Sequence, residues 1–346
     1  MSARSISVLM VTSEWPDEEH PHAVPFIVQQ VEALRATGVD VEVLPFRGAR
    51  NPLRYLGAWA ALRRRLTERP HDLVHAQFGQ SAIVACFPKR LPLVVTFRGD
   101  DLEGIVGDDG RYLVLGRILR QVSRLTARRA DATIVVSRHL ERFLPNRATA
   151  VIPSGVDVSV FHPMPPEEAR AALGLSAESE LVLFVGDPKE TRKRVSLAEE
   201  AVRLAGRGRL VVVWGAPRDR IPQYMAACDA LIFTSMHEGS PNVVKEALAC
   251  GLPVVSVDVG DVRERLEGVA GCVVCSDDRP QTLAAALDRV LDQGRLAGPA
   301  DLVADLDEGR LAARVVEIYE RVLGRRGPEG ARAVAPGPRA AAEDRG

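Results

Sequence analysis

Hydrophobic residues in this chain form short uninterrupted runs that alternate with longer stretches of helical spacing. The first run is followed by an amphipathic segment at residues 24–38, which ends at Gly38. Runs without polar alternation are typical of parallel strands that helices cover on both faces. The pattern therefore predicts two consecutive doubly wound α/β domains rather than one long sheet. The predicted strands are residues 7–13, 39–46, 72–78, 92–99, 132–137, 181–187, 210–215, 230–235, 253–260 and 271–276.

The boundary between the two domains is predicted in VIPSGVDVSVFHPMPP, residues 151–166, which is rich in Pro and Gly. A chain of 346 residues is also too long for one small core. We expect an N-terminal domain at 1–160 and a C-terminal domain at 161–326, whose last helix, 310–326, can pack back on the first domain. Residues 327–346 show no periodic apolar face, so this tail is predicted to be disordered.

Composition and charge narrow the class of protein. Apolar residues make up 46% of the chain and the formal net charge is −1, which gives no sign of a nucleic-acid partner. Residues 1–150, however, carry 21 Lys+Arg against 16 Asp+Glu, a surplus of 5. No run reaches the ~20 apolar residues of a membrane span, and the N-terminal run lacks a signal-peptide layout. We expect a cytoplasmic protein, with the inner face of the membrane as the alternative location.

The five cysteines give no sign of a metal site or a disulfide framework. Cys272 and Cys275 form a lone C-x-x-C, but GCVVC reads as a strand and no second pair completes a zinc site. We therefore expect reduced, buried thiols and no bound metal.

The stretch HEGSPNVVKEALACGLPVVS, residues 237–256, combines a turn with a helix start. Ser240 suits the N-cap position, Pro241 suits the first helical position, and Gly251 suits the helix end. A helix that begins here directs free backbone N–H groups out of its first turn, which makes an anion site, ideally for a diphosphate. Those N–H groups belong to Asn242, Val243 and Val244.

Two carboxylates flank this predicted anion site. Glu238 precedes the helix, and Glu246 lies one and a half turns inside it, too far along to act as a cap. Since a carboxylate can accept hydrogen bonds from two adjacent hydroxyls, the arrangement predicts a ligand with sugar, diphosphate and ribose in series, which is a nucleotide-sugar. The plainer alternative is two solvated surface glutamates.

The stretch EGSPNVVKEALACGLPVVS resembles the E-x7-E signature of the family 4 glycosyltransferases, which are retaining enzymes of the GT-B fold. IPSGVDVSVFHP (152–163) is similar to the interdomain segment of that family, and RADATIVVS (129–137) to one of its strands. VPFIVQQVEALRATGVDVEVL matches its first helix and second strand. The amino-acid sequence around the signature is most similar to that of the teichuronic-acid-type transferases of envelope polysaccharide synthesis.

The resemblance implies a role for each residue of the signature. The first glutamate of the family binds the donor sugar, which corresponds to Glu238 together with Gly239. The second glutamate binds the ribose, which corresponds to Glu246. The backbone that follows the first glutamate binds the diphosphate, which corresponds to Ser240, Pro241, Asn242 and Val243.

A basic pair after the first strand of the second domain normally neutralises the diphosphate in this family. VGDPKETRKR (185–194) departs from that pattern, because Asp187 stands where an Arg is usual. A diphosphate leaving group needs positive charge in the transition state. Lys193 is the first candidate to supply it and Arg192 the second, with Lys189 and Arg194 as further candidates.

The first domain of the family normally carries H-G-x-D at the end of a strand, facing the donor sugar. Here VVTFRGDD places Arg98 at the histidine position, followed by Asp100 and Asp101. An arginine cannot act as a base at neutral pH, so we expect Arg98 to act electrostatically and the aspartates to bind a sugar hydroxyl on the acceptor side. His20 and His22, in the loop after the first strand, are candidates for the same side.

The expected ligands are a UDP- or GDP-sugar as donor, and a glycan, lipid-linked or small-molecule acceptor. GT-B enzymes generally need no catalytic metal, so no cofactor is predicted. RYLGAWAALRRRLTERP (54–70) is a predicted basic helix that could contact anionic lipid. The alternatives are a nucleotide-sugar 2-epimerase of the same architecture and a nucleotide-sugar-binding protein without catalysis.

Overall fold

Two parallel sheets form the framework of the protein. The structure is a computed structural model, and it describes residues 5–20, 23–48, 51–107, 111–146 and 148–324. All pairings between its strands are parallel, as the uninterrupted apolar runs predict. The predicted disordered tail, 327–346, lies outside the described residues.

The first sheet has six strands in the order β2-β1-β3-β4-β5-β6. Five of them were predicted, and the sixth is a strand of two residues at the start of the segment that we predicted as the domain link. A pair of residues has no periodicity to detect, so it leaves no signal in the sequence. The strands are β1 (Ser7–Thr12), β2 (Asp40–Pro45), β3 (Leu73–Gln77), β4 (Leu93–Phe97), β5 (Ala132–Val135) and β6 (Ala150–Val151).

The second sheet has five strands in the order β11-β10-β9-β7-β8. All five were predicted, but the last two pairing segments are shorter than their apolar runs, because residues after Ser256 and after Val274 leave the sheet. The strands are β7 (Leu181–Val185), β8 (Arg209–Val213), β9 (Ala230–Phe233), β10 (Val254–Ser256) and β11 (Val273–Val274).

Helices cover both sheets, and the doubly wound GT-B architecture is confirmed. The helices of the first half are α1 (Pro25–Ala36), α2 (Pro52–Glu68), α3 (Gly79–Cys86), α4 (Asp100–Glu103), α5 (Val114–Arg129) and α6 (Arg138–Glu141). Those of the second half are α7 (Pro166–Leu173), α8 (Val195–Ala205), α9 (Ile221–Ala227), α10 (Asn242–Ala249), α11 (Val262–Leu266), α12 (Pro280–Gln293), α13 (Pro299–Leu302) and α14 (Glu308–Val322).

The last helix, α14, belongs to the core of the first sheet although it follows the second sheet in sequence. Val315, Ile318 and Tyr319 are almost fully buried in the same cluster as residues of β1 and α1. The hydroxyl of Tyr319 lies 2.6 Å from Nδ1 of His75 on β3. Burial lowers the pKa of His75 to about 3, so its ring is neutral and structural. The chain therefore crosses between the two sheets twice.

The two halves of the molecule touch at a pair of glycine-containing loops. Ser137, after β5, donates a hydrogen bond from Oγ to the carbonyl of Gly239, 2.8 Å away. A Cβ on Gly239 would lie 2.3 Å from the carbonyl oxygen of Arg98, so no other residue fits at position 239 without moving the loops apart. The close approach brings the loop after β4 and the loop after β9 together at one end of both sheets.

Candidate active site

The carboxyl ends of strands from both sheets line a cleft of about 880 Å³ between the two halves. In open parallel sheets, ligands bind outside the carboxyl ends of the strands. The loops after β1, β4, β7, β8 and β9 all reach this cleft. A second cavity of about 680 Å³ shares Glu238 with this cleft.

Helix α10 begins at the cleft, as predicted, but its first turn differs in detail from the prediction. The N-cap residue is Pro241, and Ser240 does not cap the helix. The hydroxyl of Ser240 instead donates to Oδ2 of Asp261 over 2.7 Å and accepts from Nζ of Lys245 over 3.2 Å, so both of its partners are side chains. Ser240, Pro241 and Asn242 line the cleft, and the unpaired N–H groups of the first turn make this helix end suitable for an anion.

Three charged side chains stand together beside this helix end. Nζ of Lys193 lies 2.6 Å from Oε1 of Glu238, and Nη1 of Arg192 lies 3.5 Å from the same oxygen. All three residues line the cleft. The glutamate thus offsets part of the charge of the two cations, and Arg192 also pairs with Glu190. A diphosphate that enters the site has to compete with these carboxylates for Lys193 and Arg192.

The other two basic residues of this loop lie elsewhere. Lys189 is exposed and does not line the cleft. Arg194 donates from Nε to the carbonyl of Thr234 over 2.7 Å and pairs with Asp278. Asp187, which replaces the usual arginine, accepts the backbone N–H of Lys189 at 2.9 Å and so fixes the turn. This placement favours Lys193 and Arg192 for the diphosphate.

Glu246 is buried and faces an arginine rather than the open cleft. Its Oε1 lies 3.0 Å from Nη2 of Arg218, and the Arg218 guanidinium stacks 5.0 Å from the ring centroid of Phe161. Burial raises the pKa of Glu246, and the charge of Arg218 opposes that rise. A ribose hydroxyl that binds Glu246 has to compete with this ion pair. The same loop presents Trp214, 65% exposed, to the cleft.

Arg98 is held by side chains of the first half and of the link. Its guanidinium donates to Gln30, Gln77 and Ser154, each over 2.9–3.0 Å. The guanidinium also lies over the ring of Phe26 at 4.8 Å. Burial lowers the pKa of Arg98 to about 10, so it remains a cation at neutral pH. Arg98 lines the cleft, and its hydrogen bonds fix its position there.

The two aspartates after Arg98 have different environments. Asp101 is buried and accepts the backbone N–H groups of Gly79, Arg98 and Gly99, which leaves little capacity for a sugar hydroxyl. Burial raises its pKa to about 6. Asp100 is 45% exposed at its side chain and lines the cleft. The structure therefore favours Asp100 for an acceptor hydroxyl and gives Asp101 a role in holding the loop.

Of the two histidines predicted on the acceptor side, His20 does not line the cleft. His20 is exposed and lies 3.4 Å from Asp17, and His22 lies outside the described residues. A different histidine, His237, is buried where the two halves meet, with Nε2 3.1 Å from Oδ1 of Asp100 and Nδ1 3.6 Å from Glu103. Burial opposes protonation of His237, but its contacts with Asp100 and Glu103 outweigh burial and raise its pKa.

Lys245 is a further residue that the sequence reasoning did not single out. It is fully buried on α10, and its Nζ donates to the carbonyl of Ser154 over 3.1 Å and to Oγ of Ser240 over 3.2 Å. Burial lowers its pKa to about 8. A lysine among the apolar residues of a helix start gives no distinct pattern, and only the fold places it against the link.

No group of three or more His, Cys, Asp or Glu side chains suited to a metal ion occurs among the described residues. The same residues contain no helix of the length and apolarity that crossing a membrane requires. The five cysteines are free thiols, and four are buried.

Comparison with known proteins places this GT-B fold among the glycosyltransferases. The profile "Glycosyltransferase Family 4" matches residues 1–160, and "Glycosyl transferases group 1" matches 169–293. D-inositol 3-phosphate glycosyltransferase of Frankia alni is 32% identical over 311 residues, 73% of this chain and 74% of that protein. The chain belongs to the family 4 glycosyltransferases.

Other relatives agree with this assignment. The putative teichuronic acid biosynthesis glycosyltransferase TuaC of Bacillus subtilis is 25% identical over an alignment of 356 positions. The alignment covers 82% of this chain and 89% of the length of TuaC. Among solved structures, sucrose-phosphate synthase of Thermosynechococcus elongatus superimposes with a TM-score of 0.73 at 18% identity, over 93% of this chain and 100% of its own. Anabaena HepE, solved with UDP, gives 0.65 at 18% identity, over 92% and 100%. These structures support the fold.

Proposed function

We propose that this glycosyltransferase moves a sugar from a nucleotide-diphosphate-sugar to an acceptor hydroxyl with retention of the anomeric configuration, without a catalytic metal. The observation that carries the proposal is the placement of Lys193, Arg192 and Glu238 beside the start of α10 in the cleft. A helix N-terminus with two cations suits a diphosphate, and a carboxylate next to it suits the hydroxyls of the attached sugar. Structures of Anabaena HepE, which has the same fold, contain UDP and UDP-glucose.

The ion pair of Lys193 and Glu238 accounts for a carboxylate next to an anion site. Without a donor, the lysine and the glutamate neutralise each other. When a donor enters, its diphosphate competes with Glu238 for Lys193, and the released carboxylate can accept hydrogen bonds from the sugar. The Lys193–Glu238 ion pair thereby couples binding of the diphosphate to binding of the sugar.

The leaving diphosphate gains negative charge as the glycosidic bond breaks. The N–H groups at the start of α10, together with Lys193 and Arg192, stabilise that charge in place. The acceptor hydroxyl then attacks on the face from which the diphosphate departs. Arg98 lines the cleft as a cation in a fixed position, and its positive charge also stabilises the negative charge of the diphosphate.

Acceptor chemistry follows from the first half of the cleft. Asp100 presents a half-exposed carboxylate there, and a carboxylate is a natural partner for sugar or cyclitol hydroxyls. The relatives include enzymes named for inositol phosphate and for teichuronic acid biosynthesis, which supports a polyhydroxylated acceptor. Membership of the family favours transfer over the 2-epimerase alternative.

A matched pair of lysine variants tests the proposal. Lys193→Ala should lower kcat/KM for release of the nucleoside diphosphate from the nucleotide-sugar by about 100-fold or more. The reason is that the variant loses a positively charged group that stabilises the leaving diphosphate. Lys189→Ala should change it by less than about twofold, because Lys189 is exposed outside the cleft. The assay is run with excess chelator. Equal losses in the two variants, or activity that needs an added metal, would contradict the proposed site.

A further inference from the structure

The exposed side of α5 carries apolar residues where a helix of a water-soluble domain normally carries polar ones. Val114 is 73% exposed, Ile118 55% and Leu125 40%. At 3.6 residues per turn these three lie within about 40° of one another around the helix axis. The opposite side of the helix is buried and consists of small or polar residues, namely Gly116, Ser123, Thr126 and Ala127.

Arginines flank this apolar stripe. Arg117, Arg124 and Arg128 lie about 40–80° to one side of Val114 around the axis. Helix α5 contains no Asp or Glu, and within the described part of the chain no arginine of α5 is part of an ion pair. We call the surface formed by Val114, Ile118 and Leu125 with Arg117, Arg124 and Arg128 the α5 face.

Exposed apolar residues continue from this surface onto its neighbours in the first half. Leu53, Leu56 and Trp59 on α2 are 72%, 62% and 39% exposed. Phe87 joins them to α5, because its carbonyl accepts the indole N–H of Trp59 and its ring lies 4.6 Å under the guanidinium of Arg129. Phe87, which follows α3, thus connects α2 with the C-terminal end of α5.

Much of the charge on α2, within the predicted basic helix 54–70, is paired, unlike the charge on α5. Arg65 pairs with Glu42 at 2.6 Å and Arg64 with Glu68 at 3.4 Å. The guanidinium of Arg63 stacks on Trp59 at 5.0 Å. Arg54 and Arg63 donate to backbone carbonyls rather than to carboxylates, so both helices carry uncompensated positive charge, and α5 with its five arginines carries more of it.

We propose that the α5 face docks on a membrane surface that contains anionic phospholipid. A helix with an apolar stripe, an arginine flank and no carboxylates has the composition of an interfacial helix that lies in the plane of the headgroups. Each arginine near an anionic surface contributes about a fivefold gain in binding. The five arginines of α5 equal the whole +5 surplus of residues 1–150, so the excess positive charge of this half is concentrated on one helix.

The position of α5 next to the cleft extends the proposed function, on which this step rests. Leu119 of α5 and Ile105 before it line the cleft. Tyr112, Arg117 and Arg120 line a smaller cavity of about 200 Å³ together with Glu103. A bilayer against the α5 face would therefore lie at the edge of the cleft, where an acceptor carried on a lipid can present its hydroxyl.

Vesicle binding tests the docking surface without reference to activity. The full chain is mixed with vesicles of neutral phosphatidylcholine, or of equimolar phosphatidylcholine and phosphatidylglycerol, and bound protein is measured by flotation. We expect binding to the anionic vesicles only, and a decrease with added salt, because surface charges are screened. Failure of donor binding with intact flotation would remove the proposed function and leave the docking surface in place.

Four variants locate the contact. Ile118→Asp should abolish flotation, and Arg117→Gln combined with Arg124→Gln should weaken it by about tenfold or more. The matched controls are Leu204→Asp on α8, an exposed leucine at 38% in the other half, and Arg289→Gln on α12, an exposed helical arginine. Both controls should float like the parent protein, and all variants are first compared by thermal unfolding.

Three results would overturn the docking proposal. One is flotation that Leu204→Asp reduces as much as Ile118→Asp does. Another is equal binding to neutral vesicles. The third is absence of vesicle binding together with a dimer in light scattering that Ile118→Asp converts to a monomer, which would assign the α5 face to a second copy of this chain.

Discussion

Single residues at the cleft show how far a sequence signature can place a site. Glu238, Lys193 and Arg192 come from two loops that are over forty positions apart, and they meet because both loops follow neighbouring strands, β7 and β9. The family resemblance implied that Glu238 binds the donor sugar and that Lys193 or Arg192 binds its diphosphate, which requires the two loops to lie close together. It could not predict that Glu246 faces Arg218, or that Asp101 is occupied by three backbone N–H groups. Those contacts depend on packing that has no period along the chain.

Lys245 gives a prediction at the same scale. Its pKa of about 8 in the folded protein lies below the ordinary 10.5, so between those pH values the unfolded chain binds more protons than the folded one. Stability contributed by this residue therefore rises as pH increases from 8 to 10.5 and is constant below 8, where both states are protonated. The change amounts to about 3 kcal/mol.

Denaturant unfolding of the parent protein and of Lys245→Met across this pH range measures the effect. Relative to the variant, the parent should gain stability toward high pH. Asp261, Glu246, Arg98 and Arg265 act on Lys245 in both directions, so the comparison uses the difference between the two proteins. A constant difference over the range would show that Lys245 is not the buried titrating group.

At the scale of elements, most of the fold follows from the apolar runs, and the exceptions have local causes. Strand β6 has two residues and is defined by its pairing with β5. The start of α10 shifts by one residue because Ser240 bonds to Asp261 instead of capping the helix. Helix α5 was not predicted as a membrane contact, since its exposed and buried sides cannot be told apart until the fold shows which side packs.

The loop between β9 and α10 provides a prediction for the contact between the two halves. In Gly239→Ala the new Cβ would lie 2.3 Å from the carbonyl oxygen of Arg98, so the loops should separate and kcat/KM should fall by about tenfold or more, since small misplacements at a reacting centre are costly. Gly57→Ala on α2 is the control, because nothing lies within 4 Å of its Cβ position. It should retain activity and gain up to ~1 kcal/mol of stability. Equal activity in the two variants would mean that the close contact is not needed for catalysis.

At the scale of the whole molecule, the chain crosses between the two halves twice, and both crossings hold the halves in a fixed relative orientation. The first crossing brings Ser154 between Arg98 of one half and Lys245 of the other, with hydrogen bonds of 2.9 and 3.1 Å. The second delivers α14 to the core of the first sheet. The cleft, the cations and the α5 face therefore keep a common orientation.

Donor binding is the central claim, and thermal unfolding with a panel of UDP-, GDP-, ADP- and dTDP-sugars in the presence of chelator tests it most directly. A ligand present at about 100 times its dissociation constant should stabilise the protein by about 2.7 kcal/mol. We expect one class of nucleotide-sugar to raise the unfolding temperature of the parent protein and of Lys189→Ala, and to leave Lys193→Ala unchanged. No shift with any donor, or an equal shift in Lys193→Ala, would contradict the account of the cleft as a nucleotide-sugar site.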